Sequence, residues 1–279
     1  MGGRVGFIGL SLVATLTGPA TAAPVRTAAA APGAACRFEL VGSGRVAAVL
    51  DGRSLALDDG REIRLAGIEA PPPSPGESGL GAAAKAAKAA LESLALGKAV
   101  ELRQPQPESD RYGRILAFVS LVSPEEGAEP TVAHALIGQG FARVGTGLDQ
   151  PGCTAELLSR ERVARARRLG LWGEPDYAIM SAENGAGLLG QEGRFAVVEG
   201  KVASVRESGG LIYMNFGRRW SQALTVTILK RHERSFAAAG LQPDRLANLR
   251  IRVRGYIEER SGPRIEATRP EQIEIAEGR

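Results

Sequence analysis

The chain has 279 residues, enough for one large domain or two ordinary ones, and its 44% hydrophobic and 24% charged content excludes a wholly disordered protein. Two cysteines and two histidines, His134 and His232, exclude a disulfide-dense miniprotein, a four-cysteine zinc module and a His-rich metal centre, and 5% aromatics exclude extensive base-stacking platforms. The net charge of +4 permits a polyanionic partner without demanding one. In chain order, the first segment reads as an address. Arg4 precedes an apolar run, Val5 to Leu16, that is too short to span a bilayer as a mature helix. Ala20-Thr21-Ala22 then supplies a small-residue cleavage pattern. A secretory signal peptide is predicted over 1–23 and a flexible leader over 24–35, the alternative being an uncleaved anchor. No later stretch has the apolar length of a membrane span. The expected location is periplasmic or secreted. In such an oxidising compartment Cys36 and Cys153 form one pair, with two free thiols as the alternative.

Residues 43–50, 53–58 and 61–68 read as three short strands joined by two hairpin turns, Asp51-Gly52 and Asp59-Gly60. A Pro-rich loop (71–79) leads into an Ala/Leu/Lys helix over 80–96, which Gly97 stops. Strands follow at 98–103 and 114–122, and helices at 130–139 and 154–169. Five strands with a helix after the third fit a small Greek-key barrel of the OB type. A small, polar segment over 179–193 reads as a linker. Beyond it come strands at 195–206, 210–216 and 223–229, a helical piece at 230–239, and strands at 249–259 and 263–269. That is again three strands, a helix and two strands. Residues 190–279 hold 16 Lys+Arg and 11 Asp+Glu, a net of +5, so the basic character belongs to this second part.

Four landmarks recur in order through the first part: Val49-Leu50-Asp51-Gly52-Arg53-Ser54, Arg64-Leu65-Ala66-Gly67-Ile68-Glu69-Ala70-Pro71, Asp110-Arg111-Tyr112-Gly113-Arg114, and Gly170-Leu171-Trp172 after a basic helix. With this order and spacing, residues 43–173 resemble the staphylococcal nuclease (thermonuclease-like) family. The resemblance implies a barrel that hydrolyses phosphodiester bonds with a calcium ion. Carboxylates and a backbone carbonyl hold the ion, a Glu assists the attacking water and two Arg hold the phosphate. The division suits the chemistry: a hard cation takes oxygen ligands, and Arg forks neutralise the charge of a pentavalent phosphorus.

Carried over residue by residue, Arg64 and Arg114 match the two phosphate-binding positions. Glu69 falls where the family has a metal-binding Asp, Ala70 can offer its backbone carbonyl, and Asp51 matches the first Asp of the metal turn. Two losses stand against these. Arg53 replaces the second Asp of that turn, and Pro72 replaces the general-base Glu. A cation repels calcium and a proline has no titratable group, so the resemblance implies calcium only if the site still works, and otherwise no cofactor. Glu77, five residues beyond Pro72, is the candidate substitute base. Asp58 and Asp59 read as turn residues. His134 has no metal-ligand partner in spacing and reads as a structural histidine.

The basic helix 160–168 reads as a solvated face, with nucleic-acid contact as the sharper alternative. In the second part, Tyr213 and Trp220 lie near Arg218 and Arg219, and the strand 250–254 alternates Arg250, Arg252 and Arg254 with apolar residues. Aromatics interleaved with Arg on a strand suit base stacking and phosphate steering, and the alternation predicts an outward basic row. The whole reads as a mainly β fold with helices (α+β): a nuclease-type OB-fold barrel over 36–178, followed by a smaller, basic, OB-like β-rich domain over 194–279. The expected function is an exported, catalytically impaired protein that binds nucleic acid or another polyanion. A working phosphodiesterase with altered carboxylates and an envelope scaffold that binds protein are its rivals.

Overall fold

A closed five-stranded barrel occupies the first half of the chain. It is seen in a computed structural model that describes residues 1–3, 36, 38–74, 79–104, 109–110, 112–124 and 129–276. The chain divides into two units, Met1–Ala31 and Pro32–Arg279, and every element below belongs to the second. Residues 4–35 of the expected signal peptide and leader, together with Glu77 and Arg111, lie outside the described residues.

The barrel begins with β1 (Glu39–Asp51), β2 (Ser54–Leu57) and β3 (Glu62–Leu65), and the short β4 (Ile68–Glu69) follows outside it. Helix α1 (Leu80–Ala95) precedes β5 (Ala99–Gln104) and β6 (Ile115–Leu121). The strand order is β1-β2-β3-β6-β5 and closes on itself. The long β1 makes closure possible. Its first half pairs with β5 and its second with β2, and bulges near Leu40/Gly42 and Val46/Ala48 bend it. Alternation fills the interior: Ile63 and Leu65 are buried while Glu62 and Arg64 point away. Ala87, Leu91 and Ala95 seal one face of α1 against the same core.

Helix α2 (Val132–Gly138), β7 (Arg143–Val144) and α3 (Pro151–Ala166) complete this half, with β7 pairing β4. A Cys36–Cys153 disulfide, with Cα atoms 4.6 Å apart, ties the residue just before β1 to the first turn of α3. Closing a loop of that length stabilises the fold by about 4–5 kcal/mol in the chain-entropy account.

The second half is β-rich, and its strands form two sheets over one core. After β8 (Met180–Ser181) and α4 (Gly185–Leu189) come β9 (Phe195–Lys201), β10 (Ser204–Ser208), β11 (Leu211–Asn215) and β12 (Thr225–Leu229). Then follow α5 (Glu233–Ala238), β13 (Arg250–Tyr256), β14 (Glu258–Glu259), β15 (Pro263–Glu266) and β16 (Ile273–Ile275). The sheet orders are β10-β11-β12-β15-β14 and β16-β13-β9-β8. The mixed α+β class expected from the sequence is the class observed.

Two expectations are corrected here. The segment expected as a linker is folded: β8 pairs with β9, and Ala182 and Leu188 are fully buried in the second core. Its small residues allow close packing and do not signal a free tether. Trp172 sits with Ala164 and Val197, between α3 and β9. The row Arg250, Arg252 and Arg254 is not an outward basic stripe. Arg254 is 1% exposed and meets Glu161 of α3, itself fully buried, through two hydrogen bonds of 2.9 Å. Glu274 accepts a third from Arg254 at 2.6 Å. Arg252 pairs with Glu199 at 2.5 Å, and Arg250 reaches the same carboxylate at 3.4 Å. Alternation puts the three arginines on one face, where each meets an acidic group, and of the three only Arg250 stays exposed.

Candidate functional site

Strand register gathers the family landmarks. Ser54 lies opposite Arg64, Arg64 runs beside Leu116, and Glu69 lies opposite Arg143. The turn after β1 is closed by Asp51, whose Oδ1 accepts from the backbone N–H of Arg53 at 2.8 Å. The chain then presents Arg53 beside Arg64 and Glu69. A second turn aims Arg114. Asp110 Oδ1 accepts from the N–H groups of Tyr112 and Arg114, and Oδ2 accepts from Arg114 Nε at 2.8 Å. Gly113 sits there at φ 80°, a conformation that a side chain would strain. Arg114 also donates to Ser54 Oγ at 3.2 Å and lies over the Tyr112 ring.

These residues line a cleft of about 620 Å³. Arg53, Arg64, Glu69, Asp110 and Arg114 come from the barrel, and Arg194, Phe195 and Tyr256 come from the second half. Asp51 lines a neighbouring hollow with Pro71, Pro73 and Lys85, and not the cleft itself. Pro72 is on the cleft wall. Both oxygens of Glu69 are engaged. Oε2 takes a very short ion pair from Arg53, while Oε1 accepts from the Tyr256 hydroxyl at 2.9 Å and faces Arg64 at 3.6 Å. Hydrogen bonds from Arg114, working against the cost of burial, hold the Asp110 carboxyl below its usual range.

Sequence reasoning missed the far wall. Arg143 is 7% exposed, donates to the Phe195 carbonyl at 2.7 Å, and lies about 5 Å from the rings of Tyr177 and Phe195. Burial lowers its pKa to about 10. A pairing of β4 with β7 would have revealed it, but two strands of two residues each leave no periodicity to read.

On the second half, β10 and β11 bring Arg206 opposite Tyr213 and Ser204 opposite Asn215. Tyr213, Arg218 and the 65%-exposed Trp220 line a hollow of about 440 Å³ with Arg206 and Asn215. Arg219 is exposed nearby without lining it. Arg206 was not singled out in the sequence, although its place on a strand paired to Tyr213 follows once the hairpin is known.

Buried His134 contacts the Thr131 hydroxyl through Nδ1 at 2.7 Å, while Nε2 faces Glu156 at 3.6 Å. Cys36 also approaches this pair, but its sulfur is committed to the disulfide.

A closed barrel that carries arginines and a carboxylate in a cleft at the β1–β2 turn and the β3–β4 end defines a nuclease-type barrel domain. Residues 62–174 match the family model described as staphylococcal nuclease homologue, and the chain carries a domain of that family there. Strands β1 and β2 precede the matched residues and complete the barrel. No curated protein matches the chain. Among the described residues, no helix is long and apolar enough to cross a membrane.

Proposed function

We propose that the protein is an exported nucleic-acid-binding protein in which the calcium-dependent hydrolysis of its family is disabled. The observation that carries this reading is the Arg53 guanidinium set on Glu69, the one carboxylate of the cleft that matches a metal-binding position. A calcium ion takes six to eight oxygen ligands, and here a fixed cation holds one of the few available. Tyr256 and Arg64 engage the other oxygen of Glu69, and Asp51 spends a carboxylate oxygen on its own turn. A unit charge about 4 Å from another costs on the order of 4 kcal/mol at an effective dielectric of 20, and calcium carries two. These residues do not fit the ion. Pro72 leaves the water without its family base, a loss that typically costs about 10²–10⁴-fold in rate.

What the residues support is capture. Arginine forks hold phosphates and exposed rings stack bases. The cleft offers the forks, and the hollow at Tyr213, Arg218 and Trp220 offers both. The test is to incubate the purified mature protein with single-stranded DNA and RNA, in calcium and in chelator. Retention without cleavage is expected in both. Calcium-dependent cleavage at a rate typical of the family would overturn the reading.

A further inference from the structure

The arginines of the cleft are not equally available. Arg53 and Arg64 share Glu69, and the fork of Arg114 is closed on Asp110 by contacts of 2.7 and 2.8 Å. The positions that bind phosphate in the family are thus already facing carboxylates. Arg143 and Arg194 are different. Both line the same cleft, and neither has a carboxylate within ion-pair distance among the described residues. Arg143 is more than nine-tenths buried, and its Nε has no hydrogen-bond partner. Buried charges are normally paired, so an unpaired guanidinium in a cleft wall asks for an anion. Half-buried Arg194 lines the cleft close enough to act on both Arg143 and the Tyr177 hydroxyl. The rings of Tyr177 and Phe195 flank Arg143 and exclude water from its sides.

We infer that Arg194, backed by Arg143, forms a phosphate subsite displaced from the family positions toward the second half, and that it takes the terminal phosphate of a nucleic-acid end. The choice of a terminal phosphate follows from charge. An internal phosphodiester carries one negative charge, whereas a phosphomonoester carries close to two at neutral pH. Two guanidinium groups, neither in ion-pair contact with a described carboxylate although Glu161 acts on Arg143 at longer range, match the second. A cleft of about 620 Å³ also suits an end, since pockets of that size enclose small ligands. The identity of the polymer rests on the nucleic-acid reading above, while the anion subsite does not.

The test compares single-stranded oligonucleotides that differ only in their ends, bearing a 5′-phosphate, a 3′-phosphate or hydroxyls alone, by fluorescence anisotropy in chelator. Inorganic phosphate is titrated separately while the melting temperature is followed. One phosphate-ended oligonucleotide is expected to bind at least about tenfold tighter than the hydroxyl-ended one. Arg194→Gln should abolish that preference, so that all three oligonucleotides bind alike, and Arg194→Lys should restore part of it. Inorganic phosphate should raise the melting temperature of the wild type and not of Arg194→Gln. Equal binding of all three oligonucleotides overturns the subsite and leaves the nucleic-acid reading in place. A phosphate-induced shift that needs Arg194, with no oligonucleotide bound, keeps the subsite and overturns the nucleic-acid reading. Neither binding nor shift overturns both.

Discussion

The hydroxyl of Tyr256 donates to Glu69 across 187 residues of sequence, at 2.9 Å. The second half of the chain thereby touches the carboxylate that the barrel would offer a metal ion. Phe195 packs edge-on against Tyr256, with ring centroids 5.6 Å apart, and its carbonyl takes the Arg143 hydrogen bond. The cleft is therefore a product of both halves, and substitutions in either should be read in it.

Restoring the family pattern with Arg53→Asp and Pro72→Glu should confer calcium binding, measurable by calorimetry. It should also raise DNA cleavage in calcium by about 10²-fold or more over the wild type, the scale of a regained general base. Arg53→Asp alone should improve calcium affinity with a much smaller gain in cleavage.

Removing Arg254 should be costly. Arg254→Met leaves Glu161 buried with only Arg165 and the Val144 N–H to satisfy it, and loses the contact to Glu274. Breaking a buried ion pair from one side destabilises by about 3–5 kcal/mol, to be read from urea unfolding. The double change Arg254→Met with Glu161→Leu should recover part of that loss, because no charge is then left unpaired.

Acid should weaken the fold through His134. Burial, with a smaller push from Arg160, holds its pKa down to about 4, below the 6.5 of an unfolded chain. Between those values the unfolded state binds the proton and the folded state does not. The contribution is full above about pH 6.5 and is lost progressively as the pH falls to about 4. Its size is on the order of 3 kcal/mol. Unfolding measured from pH 7 to 4 should show this slope, and His134→Asn should flatten it.

Binding of single strands should fall steeply with salt, because each neutralised phosphate releases counterions. Arg206→Ala with Arg218→Ala should lower the log–log slope by about 1.4, at roughly 0.7 per contact. Trp220→Ala should cost about 1–3 kcal/mol of affinity at every salt concentration, the signature of stacking. Equal slopes for wild type and double variant would remove the β10–β11 hollow from the interface.

The barrel was legible in the sequence because its signals are local. Asp51-Gly52 and Asp59-Gly60 mark turns, alternation marks β3, and an Ala-rich run ended by Gly97 marks α1. The disulfide was legible because two cysteines leave one intramolecular pairing. Arg64, Glu69 and Arg114 were singled out through the resemblance to the nuclease family, and register then placed them on one cleft. What could not be read is long-range. Alternation puts Arg254 on a face without saying that Glu161, 93 residues earlier, lies against that face. Nothing near Arg143 or Arg194 in the sequence shows that β4–β7 pairing and the second half bring them to one wall. Small residues at 181–193 look the same in a tether and in a tightly packed strand and helix.

Because β1 and β2 lie upstream of the matched residues 62–174, a recombinant piece cut at those limits would lack two of the five staves. β3 and β5 would then each present an unpaired row of N–H and C=O groups to water. Bare strand edges of this kind template pairing with another chain. Such a fragment is expected to self-associate, and inactivity measured on it would report that aggregation and say nothing about the chemistry of the cleft.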